Sequence, residues 1–134
     1  MLSLQSAMNA KVDPNWVAAR YPYMRAVVIE AAEAIEHHGW KWWKKQEKDL
    51  PQLQMELIDI WHFLLSQILL NEGGSETAAL LKLNEQLKTI EDSNPVDFDG
   101  KSYNVNSMDL LEQIELLIGI SAARRIELSV FASI

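Results

Sequence analysis

Apolar residues recur at helical spacing along most of the chain, and proline, glycine and small polar residues interrupt them. Asp13-Pro14 predicts the start of a helix, because aspartate caps helix N-termini and proline is tolerated in the first turn. Tyr21-Pro22 predicts the start of the next helix, which runs to about His38. Gly39 then ends it, since glycine readily adopts the positive φ of a helix C-terminus.

Two further helices follow in the middle of the chain. Asp49-Leu50-Pro51 opens one that continues to about Asn71, before Gly73-Gly74. Ser75 is the expected N-cap of the other, which ends near Glu91. Both predictions depend on capping residues that flank long segments with apolar residues at helical spacing.

The last third begins with a polar, turn-rich loop over residues 92–100. A short extended piece is expected within 96–105. Asn106 or Ser107 then caps a last helix, from about Met108 into the 120s. Because no segment alternates strictly between apolar and polar residues, the pattern predicts an all-α protein, a bundle of four to five helices.

The predicted helix over 51–71 is apolar on nearly every side, and such a helix must be buried all round. Four or five helices in 134 residues can hardly surround one completely, so a second subunit is the predicted cover. We therefore expect a homodimer or a dimer of dimers. A central helix within a monomer is the alternative. The apolar positions are Leu53, Leu57, Ile58, Ile60, Trp61, Phe63, Leu64, Leu65, Ile68, Leu69 and Leu70.

Composition narrows the class of protein. The length suggests one domain over residues 1–134, and 49% hydrophobic residues suffice for a packed core. The absence of cysteine excludes disulfides and thiolate metal sites and fits a reducing, cytoplasmic compartment. Residues 1–13 lack the pattern of a signal peptide. The apolar stretch over 58–70 is interrupted by four polar residues, so no membrane span is predicted.

The net charge of −7 and the pI of about 4.9 argue against binding to a nucleic acid polymer, because like charges repel. A small phosphorylated ligand stays compatible with this charge, since a bound metal ion inverts the local field. The acidic balance therefore favours a protein that uses a metal.

Two acidic pairs lie within the apolar helices, Glu30 with Glu33 and Glu56 with Asp59. Each pair is spaced i, i+3, so both carboxylates project from one helix face. Residues 34–55 separate the pairs, which is enough chain to end one helix and enter the next. If these helices are antiparallel neighbours, at roughly 8–10 Å between axes, the four carboxylates converge.

Four converging carboxylates need a counter-charge, and Mg²⁺ prefers oxygen ligands of this kind. A metal held there would neutralise phosphate charge and activate water for attack on phosphorus. The competing interpretation is a solvated helix face, which most Glu-x-x-Glu pairs occupy. It is harder to apply to Glu56 and Asp59, whose neighbours in sequence are apolar.

The spacing Glu-x-x-Glu, 22 residues, Glu-x-x-Asp resembles that of the all-α NTP pyrophosphohydrolases. Within that superfamily, the segments 30–44 and 56–66 are most similar to the dimeric dUTPases. The resemblance is more specific in two aromatic motifs than in the acids. These motifs are Trp-Lys-Trp-Trp at 40–43 and Asp-Ile-Trp-His-Phe at 59–63. Weaker similarity extends upstream to 4–9 and downstream to 109–117.

The resemblance implies a Mg²⁺-dependent hydrolase, with Mn²⁺ as an alternative ion, that converts dUTP to dUMP and pyrophosphate. It implies that the metal ion is bound, and catalysis carried out, by Glu30, Glu33, Glu56 and Asp59. In that family an N-terminal Gln and Asn contact uracil, and aromatic and histidine side chains line the base pocket. The corresponding residues here are Gln5, Asn9, Trp42 with Trp40 as its neighbour, His62 and Phe63.

The residue types suit these roles, because amides match the edge of uracil and aromatic rings offer flat faces. Structural explanations stay open beside them. The tryptophans at 40, 42 and 43 also suit a core or a dimer interface, and His62 also suits a buried, hydrogen-bonded histidine. The lysines at 41, 44 and 45 suit a solvated helix end, or one of them a phosphate contact.

One feature of the dimeric dUTPases has no counterpart in this sequence. Near their C-terminus they carry a segment rich in Gly, Tyr, Lys and Asn that closes on the phosphates, whereas this sequence ends at Phe131-Ala-Ser-Ile134. We therefore expect a weaker hold on the phosphates. The shorter MazG-like pyrophosphatases, which clear non-standard nucleotides, are the alternative within the superfamily.

Two alternatives come from other classes of protein. A ferritin-like di-metal bundle also uses carboxylates inside helices, but it requires Glu-x-x-His on two helices. Here Asp59-Ile-Trp-His62 is the only partial match. A non-catalytic dimerisation module would explain the apolar helix, but not the resemblance at Gln5, Asn9 and the tryptophans.

Overall fold

The computed structural model describes residues 1–92 and 95–134, and these residues are mostly helical. The prediction of an all-α fold is confirmed. Five helices have eleven residues or more, and two short helices accompany them. The elements are α1 (Leu2–Val12), α2 (Trp16–Ala19), α3 (Tyr23–His38), α4 (Leu50–Asn71), α5 (Glu76–Glu91), β1 (Val96–Phe98), β2 (Lys101–Tyr103), a 3₁₀ turn (Val105–Ser107), α6 (Leu110–Ala122) and α7 (Leu128–Ser133).

The centre of the fold is the antiparallel pair of α3 and α4, with α6 packed on α3. Tyr23, at the start of α3, lies near Phe63 in the second half of α4. At the opposite end, the Asp49 amide donates to the His37 carbonyl at 2.9 Å. This arrangement places the two predicted acidic pairs on facing helices. The largest fully buried apolar side chains are Val27, Ile60, Leu64, Leu69, Ile114, Leu117, Ile120, Leu128 and Val130.

Local capping signals predicted the central helices correctly. Gly39 ends α3 with φ +85°. The Asp49 side chain accepts from the backbone amide of Gln52 at 3.2 Å, and that of Ser75 accepts from Ala78 at 3.2 Å. Each side chain thus satisfies an amide that has no partner within the first helical turn.

The prediction for the N-terminus was incomplete. The helix that follows Asp13-Pro14 is the single turn of α2 and its N-cap is Asn15, whereas the eleven-residue helix α1 before Asp13 was not predicted. The side chain of Asp13 accepts from the Asn15 amide at 2.9 Å. The helix was missed because its buried face includes the polar Gln5 and Asn9, while apolar residues occupy its exposed face.

Helix α6, predicted as the last helix, begins slightly later than expected, and the short α7 follows it. Asp109, not Asn106 or Ser107, is the N-cap, and it forms a reciprocal capping box with Glu112. Ahead of it, β1 and β2 form an antiparallel hairpin in the region where an extended piece was expected. Within the predicted polar loop, residues 93 and 94 lie outside the described residues.

Helix α4 is only partly covered by the chain itself. Met55 and Ile58 are about half exposed, so the expectation of complete burial does not hold within one subunit. By length and composition alone α4 would be able to cross a membrane, but half of its most apolar window is buried inside the fold, as in the core helix of a globular protein. The prediction of a dimer stays a prediction.

Candidate active site

Three of the four predicted metal-binding acids meet between α3 and α4. One carboxylate oxygen from each of Glu30, Glu33 and Glu56 lies within 4.8 Å of the others. Asp59 lies one turn beyond Glu56 on α4, outside this closest group, yet its charge acts on Glu30. Residues 30–33 and 56–59 therefore come together as their spacing predicted. We call Glu30, Glu33, Glu56 and Asp59 the acid cluster.

The acid cluster carries more negative charge than its surroundings balance. Burial raises the pKa of Glu30 to about 7, and the hydrogen bond with Glu56 and the charges of Glu33, Glu56 and Asp59 act in the same direction. At neutral pH Glu30 is therefore partly protonated. Such a proton is a substitute for a stronger counter-charge.

The donor set of the acid cluster fits a hard divalent cation. Its ligand atoms are all carboxylate oxygens, which Mg²⁺ and Mn²⁺ prefer, and the exposure of Glu33 leaves one side open. In the described part of the chain, no lysine or arginine forms an ion pair with these acids.

His37 is a neighbour of the acid cluster that the sequence analysis did not identify. Its Nε2 lies 3.3 Å from the Oε1 of Glu56, whose side chain is buried. The spacing of Glu30, Glu33 and His37 is i, i+3, i+7, which places all three on one face of α3. That periodicity was a usable signal in the sequence.

The two predicted uracil-contacting amides lie in one buried hydrogen-bond network. Gln5 Nε2 donates to Asn9 Oδ1 at 3.0 Å and to Ser66 Oγ at 3.0 Å, and Asn9 Nδ2 donates to Ser66 Oγ at 3.1 Å. His62 Nδ1 lies 2.6 Å from Gln5 Oε1. Residues from α1 and α4 thus converge. We call Gln5, Asn9, His62 and Ser66 the amide network.

Phe63 lines an open cleft that extends to the acid cluster. The cleft has a volume of about 400 Å³, and its walls include Tyr23, Ile29 and Glu30. The ring centroids of Phe63 and Tyr23 are 6.4 Å apart. A mostly apolar surface therefore connects an aromatic wall with Glu30 of the acid cluster. A second cleft, of about 430 Å³ between the hairpin and α6, contains none of the predicted site residues.

Trp42 is the predicted site residue that the described structure does not bring to the others. It lies in the loop between α3 and α4, 86% exposed, with its ring against Trp43. Trp40 is held more firmly, because its Nε1 donates to Glu36 at 2.8 Å. The side chain of Gln46 accepts from the backbone amides of Trp40 and Lys41 and so fixes the start of the loop.

Comparison with known proteins identifies the family. No curated protein and no solved structure matches the chain. A family model described as dUTPase matches residues 1–129, nearly the whole chain. Together with the helical fold and the acid cluster, this match shows that the chain belongs to the dUTPase family and is a nucleotide pyrophosphohydrolase of the dUTPase-like kind.

Proposed function

We propose that this protein hydrolyses dUTP to dUMP and pyrophosphate, with Mg²⁺ held by Glu30, Glu33, Glu56 and Asp59. The observation that carries the proposal is the acid cluster, which borders an apolar cleft in a chain that the dUTPase family model matches. Mn²⁺ has the same preference for oxygen ligands and is the alternative ion.

The acid cluster would receive the phosphate chain through the ion. A bound Mg²⁺ would neutralise phosphate charge, orient the chain and activate a water for attack on phosphorus. The protein's part is to hold four carboxylates within reach of one another on two packed helices. Because Glu30 is partly protonated without the metal, we expect metal binding to release that proton.

The amide network suits the edge of uracil. Within the described residues, Gln5 Nε2 uses both hydrogens, whereas one Nδ2 hydrogen of Asn9 and one Oε1 lone pair of Gln5 have no assigned partner. One donor and one acceptor can pair with the O4 carbonyl of uracil and its N3–H. Cytosine presents an amino group and an unprotonated N3 instead, so it would leave both protein groups unpaired.

His62, Phe63 and Trp42 complete the proposed base pocket. The ring of Phe63 faces the cleft and would stack on the base. Trp42 lies on the loop that follows α3, close in sequence to the acids, and we propose that it covers the base when nucleotide binds. Its exposed side chain leaves it free to do so.

A second copy of this chain is the proposed cover for the exposed apolar residues of α1 and α4. Leu4, Met8 and Val12 are exposed at i, i+4 spacing on α1, and Met55 and Ile58 are exposed on α4. Such stripes favour burial in a homodimer or a dimer of dimers. Sedimentation should give a species of at least two subunits, and a well-folded monomer at micromolar concentration would refute it.

The direct test is product release from a panel of nucleotides with Mg²⁺ and with a chelator. We expect dUMP and pyrophosphate from dUTP with the metal and no turnover without it. Equal turnover of dUTP, dCTP and modified nucleotides would instead favour a MazG-like pyrophosphatase. No turnover of any nucleotide would refute the hydrolase proposal.

A further inference from the structure

We propose that Ser66 is the specificity-determining positioning residue of this protein, because its hydroxyl sets which way the amides of Gln5 and Asn9 point. The inference rests on the proposed function and deepens it, since it names the group that makes the pocket select uracil over cytosine. Ser66 is 1% exposed on α4 and contacts both amides.

A hydroxyl group has two lone pairs and one hydrogen, so Ser66 Oγ can accept two hydrogen bonds and donate one. The lone pairs of Ser66 Oγ accept from Gln5 Nε2 at 3.0 Å and from Asn9 Nδ2 at 3.1 Å. Its hydrogen has the backbone carbonyl of His62 as an acceptor at 3.0 Å, with Asn9 Oδ1 at 3.3 Å as the weaker choice. Both lone pairs and the hydrogen of the Ser66 hydroxyl are therefore engaged in hydrogen bonds.

The reverse orientation of the amides is disfavoured at the same positions. If both side-chain amides were rotated by 180°, Ser66 Oγ would face the oxygens of Gln5 and Asn9 as well as the His62 carbonyl. One hydrogen cannot serve three acceptors, and a buried unpaired oxygen is costly. Because the backbone carbonyl cannot be rotated away, the hydroxyl selects the orientation in which both amides present nitrogen to it.

The selected orientation determines what the pocket offers to a base. With its nitrogen toward Ser66, Gln5 turns Oε1 toward His62 Nδ1, 2.6 Å away, and that ring nitrogen must carry the hydrogen. Gln5 then keeps an acceptor lone pair and Asn9 keeps one N–H donor. Rotated amides would interchange donor and acceptor, which is the pattern that pairs with cytosine.

The chain supplies a matched control for a test by substitution. Ser121 is also buried on a helix, and its Oγ has no hydrogen-bond partner among the described residues. Ser66→Ala and Ser121→Ala therefore remove the same atom from two buried sites, and only the first site orients other side chains. Circular dichroism and thermal unfolding of both variants establish that each is folded.

The first readout is the ratio of kcat/KM for dUTP to that for dCTP. Ser66→Ala should lower this ratio by about 10-fold, because the amides are then free to adopt either orientation. The Mg²⁺ concentration for half-maximal rate should not change, and Ser121→Ala should keep the wild-type ratio. An equal loss of both rates in Ser66→Ala, with the ratio unchanged, would mean a merely structural role and overturn the inference.

The second readout needs no substrate and separates this inference from the proposed function. Long-range ¹H–¹⁵N NMR distinguishes the two neutral tautomers of histidine, and His62→Gln identifies the signal of His62 among the three histidines. We expect Nδ1–H in the wild type and in Ser121→Ala, and a mixture of tautomers in Ser66→Ala. The same tautomer in all three proteins would overturn the role of Ser66. If the tautomer changes in Ser66→Ala but the wild-type protein shows no preference for dUTP over dCTP, the proposed function is refuted and the role of Ser66 in orienting the amides stands.

Discussion

The acid cluster and the amide network are both polar groups inside an apolar fold, and α4 contributes residues to each. They differ in how their charges and hydrogen bonds are balanced. In the amide network, donors and acceptors from α1 and α4 pair with one another and leave one donor and one acceptor for a ligand. In the acid cluster, burial, the hydrogen bond with Glu56 and the neighbouring like charges together raise the pKa of Glu30 to about 7. A hydrogen-bonded network is preorganised for recognition, whereas an unbalanced cluster gains stability only when a counter-charge arrives.

The largest expected effect comes from breaking the acid cluster. Glu33→Gln and Asp59→Asn should each lower kcat/KM by more than about 100-fold for every nucleotide alike, because each removes a proposed metal ligand. The far-ultraviolet circular dichroism should be unchanged. Glu85→Gln, at an exposed position on α5, is the matched control and should be fully active. Wild-type turnover in either site variant would contradict the assignment.

The charge imbalance itself should appear as a pH-dependent stability of the metal-free protein. The pKa of Glu30 rises from 4.5 to about 7 on folding, so the folded chain binds more protons between these values. The free energy of unfolding should therefore fall as the pH rises from 5 to 8, by on the order of 2 kcal/mol after allowance for solvent screening.

Urea unfolding at pH 5 and pH 8, with a chelator present, measures this effect. Glu30→Gln cannot ionise at this position and should lose most of the pH dependence. Saturating Mg²⁺ should restore stability at pH 8, because the cation favours the ionised carboxylates. If the free energy of unfolding changed equally between pH 5 and pH 8 in the wild type and in Glu30→Gln, the acid cluster would not be the source of the pH dependence.

The amide network should respond in a different way, through selectivity. Asn9→Ala should lower the preference for dUTP over dCTP by about 20-fold while the better substrate is slowed less, because the proposed donor to uracil is removed. Steady-state kinetics with both nucleotides measures the preference. If Asn9→Ala lowered the turnover of dUTP and dCTP equally, as the acid variants should, the acid cluster and the amide network would not have separate roles.

The smallest effect should come from His37, which contacts the acid cluster only through Glu56. His37→Ala should weaken Mn²⁺ binding about 10-fold, since hydrogen-bond partners of metal ligands orient them. His38→Ala is the matched control, because the ring of His38 faces the carbonyl of Gly39 instead. Titration followed by electron paramagnetic resonance measures the affinity, and equal affinity in both variants would remove His37 from the site.

The sequence predicted the elements whose signals are local. Asp49, Ser75 and Gly39 begin or end helices through contacts within a few residues, and the i, i+3 acids needed only antiparallel neighbours to meet. Helix α1 escaped prediction because its buried face is partly polar, with Gln5 and Asn9 paired to α4 across the fold. Periodicity of apolar residues cannot report a face that is buried through hydrogen bonds.

Other features depended on long-range geometry or on surroundings that the sequence does not display. The raised pKa of Glu30 requires its burial and the short distances to Glu56 and the other acids. The hairpin of β1 and β2 depends on the Asp99-Gly100 turn, in which both residues have positive φ, within a segment expected to be mostly loop. The role of Trp42 stays a prediction, because its side chain is exposed and its ring packs against Trp43, a neighbour in the same loop.

One competition experiment tests the central claim most directly. Equal concentrations of dUTP and dCTP are incubated together with the protein and Mg²⁺, and the products are followed by ³¹P NMR. We predict that dUMP and pyrophosphate accumulate while dCTP is still intact, and that a chelator stops the reaction. Consumption of both nucleotides at the same rate, or turnover without the metal, would contradict the account.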